Sequence, residues 1–416
     1  MLDIHFIRSN PDLIKKNCAD RLVTVDIDRL LSLDEEYRQI ETKTQELRSR
    51  RNKGSKTKPT PEEIKAMKEL GKSIADLEEK SCVMQAEIKQ ILFAIPNLTH
   101  PKVTTGDDNP VLETVGKPAK FRFQPKDHLE LAEALDLIDL ERGAKVTGAK
   151  FYFLKNELVL LNLALLRYSL EIICRHGFSP MITPDLAKQD IIEGLGFNPR
   201  GESSQIYKIA NEPLGLIGTA EVTLGGYHAD ETLNLSEPLR YVGLSHCFRT
   251  EAGSYSKFSK GIFRVHQFEK LEMFVYCTPE QAEKEHKQIL AIQKEIFSGL
   301  KIPFRVVDHT TTDLGTPAYR TFDLEAWFPG KPNQAGATGD WAEITSVSNC
   351  TDYQSRALNI KYQNESGAKV LAYTLNGTGN PGPRALIAIL ENYQEKDGSI
   401  TIPKKLRPYL PFKKIK

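Results

Sequence analysis

Two short stretches of this chain carry the side chains best suited to chemistry. They are Phe248-Arg249-Thr250-Glu251 and, after a polar interval, Arg264-Val265-His266-Gln267-Phe268. Together they supply a guanidinium, a carboxylate, a second guanidinium and an aromatic ring. A nucleoside triphosphate in a bent conformation could use all four. Arg249 can fork onto a phosphate oxygen, Glu251 can accept from an adenine amino group, and Phe268 offers a flat face to the base. The interval Ala252-Gly253-Ser254-Tyr255-Ser256-Lys257-Phe258-Ser259-Lys260-Gly261 is turn-rich and basic, the composition of a loop that closes over substrate. An antiparallel hairpin whose charges face water would carry the same pattern.

The elements that must position these groups follow residue 106. Asp107-Asp108-Asn109-Pro110 reads as a linker, residues 127–142 as a short helix and residues 155–175 as a strongly apolar, largely buried helix. Residues 178–183, 241–248, 262–268 and 271–277 have strand character, and residues 279–300 form an amphipathic helix. Residues 304–308, 319–327 and 341–346 continue the sheet, and residues 384–393 close with a helix. Adjacent strands joined by short turns predict an α+β fold, an antiparallel sheet flanked by helices. The chain has no Gly-x-Gly-x-x-Gly and no Gly-x-x-x-x-Gly-Lys-Ser/Thr, so a bound nucleotide must be held in another way.

Residues 26–95 read as a long antiparallel helical hairpin. Leu30, Leu33, Tyr37, Ile40, Thr44 and Leu47 step by three and four, as do Met67, Leu70, Ile74, Leu77, Ser81, Met84, Ile88 and Ile91, giving the seam of a coiled coil. The run from Asn52 to Pro61 interrupts the pattern, and Pro61-Glu62-Glu63 suits a first helical turn. The tip is basic. Between Arg48 and Lys72 lie nine basic side chains, including Arg48, Arg50, Arg51, Lys53, Lys56 and Lys58, against three acidic ones. A nucleic-acid phosphate backbone is the partner such a patch favours; a solvated coiled-coil surface would look similar.

The 416 residues are 40% hydrophobic and 27% charged, the composition of an ordinary soluble protein long enough for two or more domains, and the formal net charge of +1 says little by itself; neither membrane nor DNA is an expected partner. No run of about 18 apolar residues is present, and Met1-Leu2-Asp3-Ile4-His5 begins no visible targeting segment. Six scattered cysteines without a Cys-x-x-Cys pair predict reduced thiols, a cytoplasmic setting and no zinc site.

Several segments together resemble class II aminoacyl-tRNA synthetases. His176-Gly177-Phe178-Ser179-Pro180-Met181-Ile182-Thr183-Pro184 is similar to that class's motif 1. Phe248-Arg249-Thr250-Glu251 with residues 264–268 is similar to motif 2, and Arg384 in Gly382-Pro383-Arg384-Ala385-Leu386 to motif 3. Within the class the chain resembles the bacterial and organellar seryl-tRNA synthetase family. That likeness rests on Gly218-Thr219-Ala220-Glu221, Phe268-Glu269-Lys270-Leu271-Glu272, Glu343-Ile344-Thr345-Ser346 and Thr374-Leu375-Asn376-Gly377-Thr378-Gly379 in the family's order. It spans essentially the whole chain.

The resemblance implies ATP-dependent activation of serine and its transfer to tRNA(Ser), and to tRNA(Sec) where present. Arg249 and Arg384 are implied as catalytic, clamping the α-phosphate with the serine carboxylate and the γ-phosphate respectively. Thr250, Glu251, Val265, His266, Gln267 and Phe268 would meet ATP, as would Glu343, Ile344, Thr345 and Ser346, with Glu343 and Ser346 also holding Mg²⁺. Serine would be met by Thr219, Ala220, Glu221, Arg249, Glu272, Asn376 and Thr378; Glu272 would face either its hydroxyl or its amino group. Buried polar groups left unpaired would reject glycine and alanine.

The implied organisation is a tRNA-binding arm domain, residues 1–105, and a catalytic domain, residues 106–416, in a homodimer. The chain departs from the family's usual residues at Thr378, at Ala357 and across Asn380-Pro381-Gly382-Pro383. An enzyme passing serine to a carrier protein would not need the arm. A catalytically silent relative would have lost Arg249, Glu251, Glu343 or Arg384.

Overall fold

The structure is a computed structural model describing residues 1–54, 60–197, 205–252, 258–333 and 335–416, the side chain of Lys53 apart. It divides into two units, Met1–Leu98 and Thr99–Lys416. No helix among the described residues is long and apolar enough to cross a membrane.

In the first unit, helices Ile4–Ser9 and Pro11–Asp20 precede α1 (Ile27–Gly54) and α2 (Pro61–Ala94). Thr60 caps α2. Its hydroxyl accepts from the Glu63 N–H at 3.3 Å, and the Glu63 carboxylate accepts from the Thr60 N–H at 2.7 Å. Pro61 takes the first helical position, where its missing N–H costs nothing. The stepped residues of both helices form the seam: Leu30, Leu33, Thr44, Ile74 and Ser81 are buried, and the others are half-buried. The Thr44 hydroxyl donates to the Ile40 carbonyl at 2.8 Å and Ser81 donates to Glu41 at 2.6 Å, so neither buried hydroxyl is left unpaired. Arg29–Glu87 (3.0 Å) and Arg48–Glu78 (2.6 Å) cross between the helices and confirm their antiparallel course. Both pairs are solvent-accessible and contribute roughly 0.2–1 kcal/mol each, enough to favour a register but not to hold the hairpin.

The second unit is built on eight strands: β1 (Val111–Val115), β2 (Ser179–Ile182), β3 (Leu239–Phe248), β4 (Gln267–Cys277), β5 (Phe304–Asp308), β6 (Arg320–Pro332), β7 (Thr338–Thr351) and β8 (Tyr373–Asn380). Their spatial order is β1-β5-β6-β7-β8-β4-β3-β2. Every pairing is antiparallel except β2 with β3. The helices α3 (Asn156–Arg175), α4 (Pro279–Leu300) and α5 (Pro383–Asn392) flank this sheet. The expected α+β architecture is therefore present.

Strand alternation explains the two faces. Met273, Val275 and Cys277 of β4, Val347 of β7 and Leu375 of β8 join Ile289, Ile292 and Ile296 of α4 in one buried cluster. Each such aliphatic side chain contributes about 2 kcal/mol through burial. The intervening residues face the other way: Ser346, Ser348, Thr374 and Asn376 are polar, whereas Phe274 and Tyr276 of β4 enter a second buried cluster. In Asn376-Gly377-Thr378-Gly379 the period of two is especially plain. A Cβ at Gly377 would sit 2.4 Å from Ile289 and one at Gly379 2.5 Å from Ile173. The glycines let α4 and α3 pack directly on β8, while Asn376 and Thr378 point to the opposite face.

Three expected elements differ. Residues 127–142 form two helices, His128–Ala134 and Leu140–Thr147. The chain breaks at Asp136 (φ +53°), and Ile138–Asp139 pairs in extended form with Phe153–Leu154. Residues 262–266 are not a strand. The Ile262 N–H bonds the His128 ring and the His266 N–H bonds the Lys150 carbonyl, so pairing with β3 begins only at Gln267. Helix α3 buries one stripe, including Leu158, Leu161 and Leu165, but leaves Val159, Leu160 and Leu163 exposed.

Candidate active site

A cleft open to solvent lies on the polar face of the sheet. Its wall is the hairpin that joins β3 to β4. Arg249 and Glu251 come from the descending limb, Phe263 and Arg264 from the returning limb, and Phe268 and Lys270 from β4. Opposite stand Glu343 of β7, Thr378 of β8 and Arg384 at the start of α5. Residues far apart in the chain meet here because β7 and β8 separate β4 from β6 in the sheet.

Both arginines are seated on aromatic rings. The Arg249 guanidinium lies 5.3 Å from the Phe268 ring centre, and that of Arg384 lies 5.0 Å from the Phe263 centre. Arg249 Nε donates to the Gly218 carbonyl at 3.1 Å, which ties it to the segment carrying Thr219. Glu251 adopts a left-handed φ of +52° and pairs with Arg264 at 3.1 Å. Arg384 donates to the Glu343 backbone carbonyl at 3.0 Å and to its carboxylate at 3.1 Å. That guanidinium holds the Glu343 carboxyl down to about 2. The Glu343 side chain is nonetheless 48% exposed, so solvent screens the pair and leaves an ionised oxygen ligand open to the cleft.

Glu343 and Ser346 are three residues apart and should face opposite sides of a regular strand. A bulge corrects this. Glu343 pairs with Glu325, whereas Thr345 and Ser346 pair with Leu324 and Asp323, so Ile344 is the extra residue. Since Glu325 and Asp323 differ by two, Glu343 and Ser346 share one face. Behind them Asp323 and His309 are paired at 2.9 Å. Burial and the neighbouring Glu343 charge push Asp323 up to about 6, against the pull of His309, while burial lowers His309 but Asp323 and Asp313 together raise it to about 9.

The second part of the site lies deeper. Glu272 of β4 is registered against Thr378 of β8. Thr219, Ala220, Glu221, Glu272 and Thr378 are all buried. The Asn376 amide donates to Glu221 at 2.8 Å and to Glu272 at 3.4 Å. Gln354 donates to the other Glu221 oxygen at 2.8 Å and accepts from Thr374 at 2.7 Å. Lys270 pairs with Glu272 at 2.5 Å. Burial, and then the negative charge of Glu272, push the Glu221 carboxyl up to about 7. Two buried carboxylates thus share one lysine.

Not every candidate faces this space. Gln267 does not line the cleft; with His246 and Glu269 it lines a second hollow, which Phe268 also borders. The His266 ring is held between the Arg249 carbonyl (2.9 Å) and Phe151. The Thr345 side chain is buried on the helix-covered side, the Thr250 hydroxyl accepts from the Ala252 N–H at 3.4 Å, and Val265 and Ile344 border the cleft. Residues 253–257 of the hairpin loop lie outside the described residues. In the first unit Arg50 and Arg51 are exposed and Arg48 pairs with Glu78. The Lys53 side chain, Lys56 and Lys58 are outside the described residues. Sequence reasoning missed Lys270, Gln354 and Phe263. Lys270 was accessible to it, since 268, 270 and 272 share a strand face; nothing local marked the other two.

Residues 207–393 match the family described as the tRNA synthetase class II core domain (G, H, P, S and T). Residues 1–99 match the seryl-tRNA synthetase N-terminal domain. A serine--tRNA ligase of Treponema denticola is 49% identical over 426 residues, covering 100% of both chains. A seryl-tRNA synthetase from Pyrococcus horikoshii, solved in complex with ATP, is similar at TM-score 0.86 and 38% identity, covering 100% of this chain and 99% of that one. The cytoplasmic serine-tRNA ligase of Naegleria fowleri, in complex with AMP, follows at 0.82 and 30%, covering 98% and 96%. Fold and cleft are those of a class II synthetase core. Within that class, the chain belongs to the seryl-tRNA synthetase family.

Proposed function

We propose that this chain is a serine--tRNA ligase: it joins ATP and serine into seryl-adenylate and passes serine to the 3′ end of tRNA(Ser). The observation that carries this reading is the adjacency of two sub-sites, one lined by Arg249, Arg384 and Phe268, the other by Glu221, Glu272, Asn376 and Thr378. A serine carboxylate oxygen attacks the α-phosphorus, pyrophosphate leaves, and a mixed anhydride forms. A ribose hydroxyl of the tRNA terminus then attacks the carbonyl carbon and AMP leaves. The first step needs in-line placement and cover for phosphate charge more than acid-base help. In this reading Arg249 clamps the α-phosphate and serine carboxylate, and Arg384 the γ-phosphate. Phe268 stacks the adenine once Arg249 leaves its ring for phosphate, and Glu251 accepts from the adenine amino group.

Among the described residues no cluster of three His, Cys, Asp or Glu side chains could hold a metal unaided. Glu343 and Ser346 nevertheless suit Mg²⁺ carried in with the triphosphate, being hard oxygen donors on one face, one of them kept ionised by Arg384. When bound, Mg²⁺ draws charge from the phosphate oxygens.

The test is ATP–pyrophosphate exchange with serine, alanine and threonine. Serine supports exchange and the other two do not; exchange driven equally by alanine would exclude this reading. The serine sub-site also has a pH signature. Two carboxylates around one lysine leave room for a substrate ammonium, which favours ionised Glu221. The serine KM therefore falls as pH rises through about 7 and levels off above it, and Glu221→Gln flattens the profile. A parent profile without slope from about pH 6 to about pH 8 would count against Glu221 as a substrate contact.

Residues 1–105 serve as the tRNA-binding arm domain and residues 106–416 as the catalytic domain. The basic stretch Arg48, Arg50, Arg51, Lys53, Lys56 and Lys58 meets the phosphates of a duplex RNA arm by shape and charge. Substituting Arg50→Glu and Arg51→Glu together raises the tRNA KM for charging by about tenfold and leaves serine-dependent exchange unchanged. Equal loss of both activities would remove the arm from tRNA binding. The exposed Val159, Leu160 and Leu163 of α3, with Ile182 of β2, support a homodimer. Six free cysteines support a reducing, cytoplasmic setting.

A further inference from the structure

We propose that His128 is a positioning residue for the ATP sub-site, linking the helix that carries Arg384 in its first turn to the returning limb of the β3–β4 hairpin. This rests on the ATP reading given above. His128 opens the helix His128–Ala134, is 1% exposed and lines no part of the cleft. Its Nδ1 lies 3.0 Å from Glu391 Oε1, and its backbone N–H donates to the same oxygen at 3.1 Å. The other Glu391 oxygen accepts from the Gly330 N–H at 2.9 Å. On the far side of the ring, Nε2 accepts from the Ile262 N–H at 3.3 Å.

These partners fix the tautomer. Nδ1 must carry the hydrogen because it faces a carboxylate, and Nε2 must offer a lone pair because it faces an N–H. His128 is thereby a directional bridge from Glu391 to Ile262. Glu391 sits two turns beyond Arg384 on α5, and residues spaced by seven share a helix face. Ile262 immediately precedes Phe263, whose ring carries the Arg384 guanidinium. One imidazole thus ties together the backbone of one cleft wall and the helix of the other.

The packing around the ring is tight enough to make this connection stiff. Gly261 has φ +58°, and a Cβ there would lie 2.2 Å from His128 Nε2. A Cβ at Gly330 would lie 2.4 Å from the Asp127 Cα. Lys260, one residue before Gly261, pairs with Asp127, one residue before His128. The returning limb is therefore fastened at Lys260, Gly261 and Ile262 in succession. None of the residues of the deeper sub-site (Thr219, Glu221, Glu272, Asn376) belongs to these elements.

The bridge can be cut on one side at a time. In His128→Asn the amide nitrogen stands near the place of Nδ1 and still donates to Glu391, but nothing reaches the Ile262 N–H. In His128→Gln the longer side chain places an oxygen near Nε2 and restores that acceptor. Calorimetric titration with ATP, without serine, gives Kd for each variant, and exchange kinetics give the two KM values. His128→Asn raises the ATP Kd and KM by about tenfold, the cost of one buried N–H left unpaired at the cleft wall, and leaves the serine KM within about twofold. His128→Gln recovers most of the ATP affinity.

An unchanged ATP Kd in His128→Asn overturns the proposal, and so does a parallel rise of both KM values that Gln does not rescue, which marks a merely structural residue. If His128→Asn does not fold, Gly261→Ala disturbs the same contact from the other side and must show the same ATP-selective loss. A parent protein that binds ATP but shows no serine-dependent exchange would sink the activity reading, while the Kd ratios would still judge His128.

Discussion

Replacing Arg249 with alanine lowers serine-dependent ATP–pyrophosphate exchange by roughly a thousandfold, mostly in kcat, with folding intact. Three observations set this size. Arg249 borders both sub-sites: its guanidinium lies on Phe268 at 5.3 Å, and its Nε reaches the carbonyl of Gly218 beside Thr219. The reaction brings two anions together, the serine carboxylate and the α-phosphate, so the cation between them does most when they meet in the transition state. Arg249 also holds no buried carboxylate of its own in the described hydrogen bonds, so its removal leaves no unpaired charge to unfold the domain. Lysine at this position keeps the charge but not the planar fork that spans two oxygens, and it recovers only a small part of the rate. The check is the exchange rate at saturating ATP and serine beside a thermal melt. A variant that melts normally and exchanges within tenfold of the parent would take Arg249 out of the chemistry.

Gly382→Ala costs about 3–5 kcal/mol of stability, or leaves a folded protein with its ATP KM raised by more than tenfold. Gly382 has φ +55° and ψ −106°, a conformation that a Cβ resists. A Cβ there would also lie 2.2 Å from the Glu269 carbonyl oxygen. That oxygen belongs to the backbone of β4, between Phe268 and Lys270, and cannot swing away as a side chain would. Either β4 shifts under the cleft or α5 is pushed outward, and α5 carries Arg384 within 3.1 Å of Glu343. Chemical denaturation and the ATP KM, measured on the same preparation, divide the two outcomes. A protein of parental stability and parental KM would show that this turn does not set the position of Arg384. The departure from the family's usual residues at Asn380-Pro381-Gly382-Pro383 thus falls on a turn that geometry constrains closely. Asn380 supports it by accepting from the Gly382 N–H at 2.9 Å.

The helical arm was legible because its information is local. Three-four stepping and a proline at the first turn each act over a few residues, and every position the stepping names is buried or half-buried in α1 or α2. The hairpin around Arg249 was legible from residue types, but its returning limb was not. Residues 262–266 look like a strand until His128, far away in the chain, supplies the partner that keeps the Ile262 N–H out of the sheet. Helix α3 reads as a core helix from composition alone; the position of the sheet decides which stripe is covered and which of its leucines face outward. Glu343 and Ser346 could be paired only through family likeness, because the bulge at Ile344 that turns them to one face depends on the pairing of β7 with β6.

Residue types and short-range periodicity told which groups were available for chemistry and that strands and helices would carry them, since hydrogen bonding, capping and amphipathic stepping are settled between near neighbours. Tertiary structure alone decided their company. It put Asn376 between two carboxylates and Arg384 on the ring of Phe263. Charge, burial and distance act through space, and strand order in the sheet, not order along the chain, sets those distances.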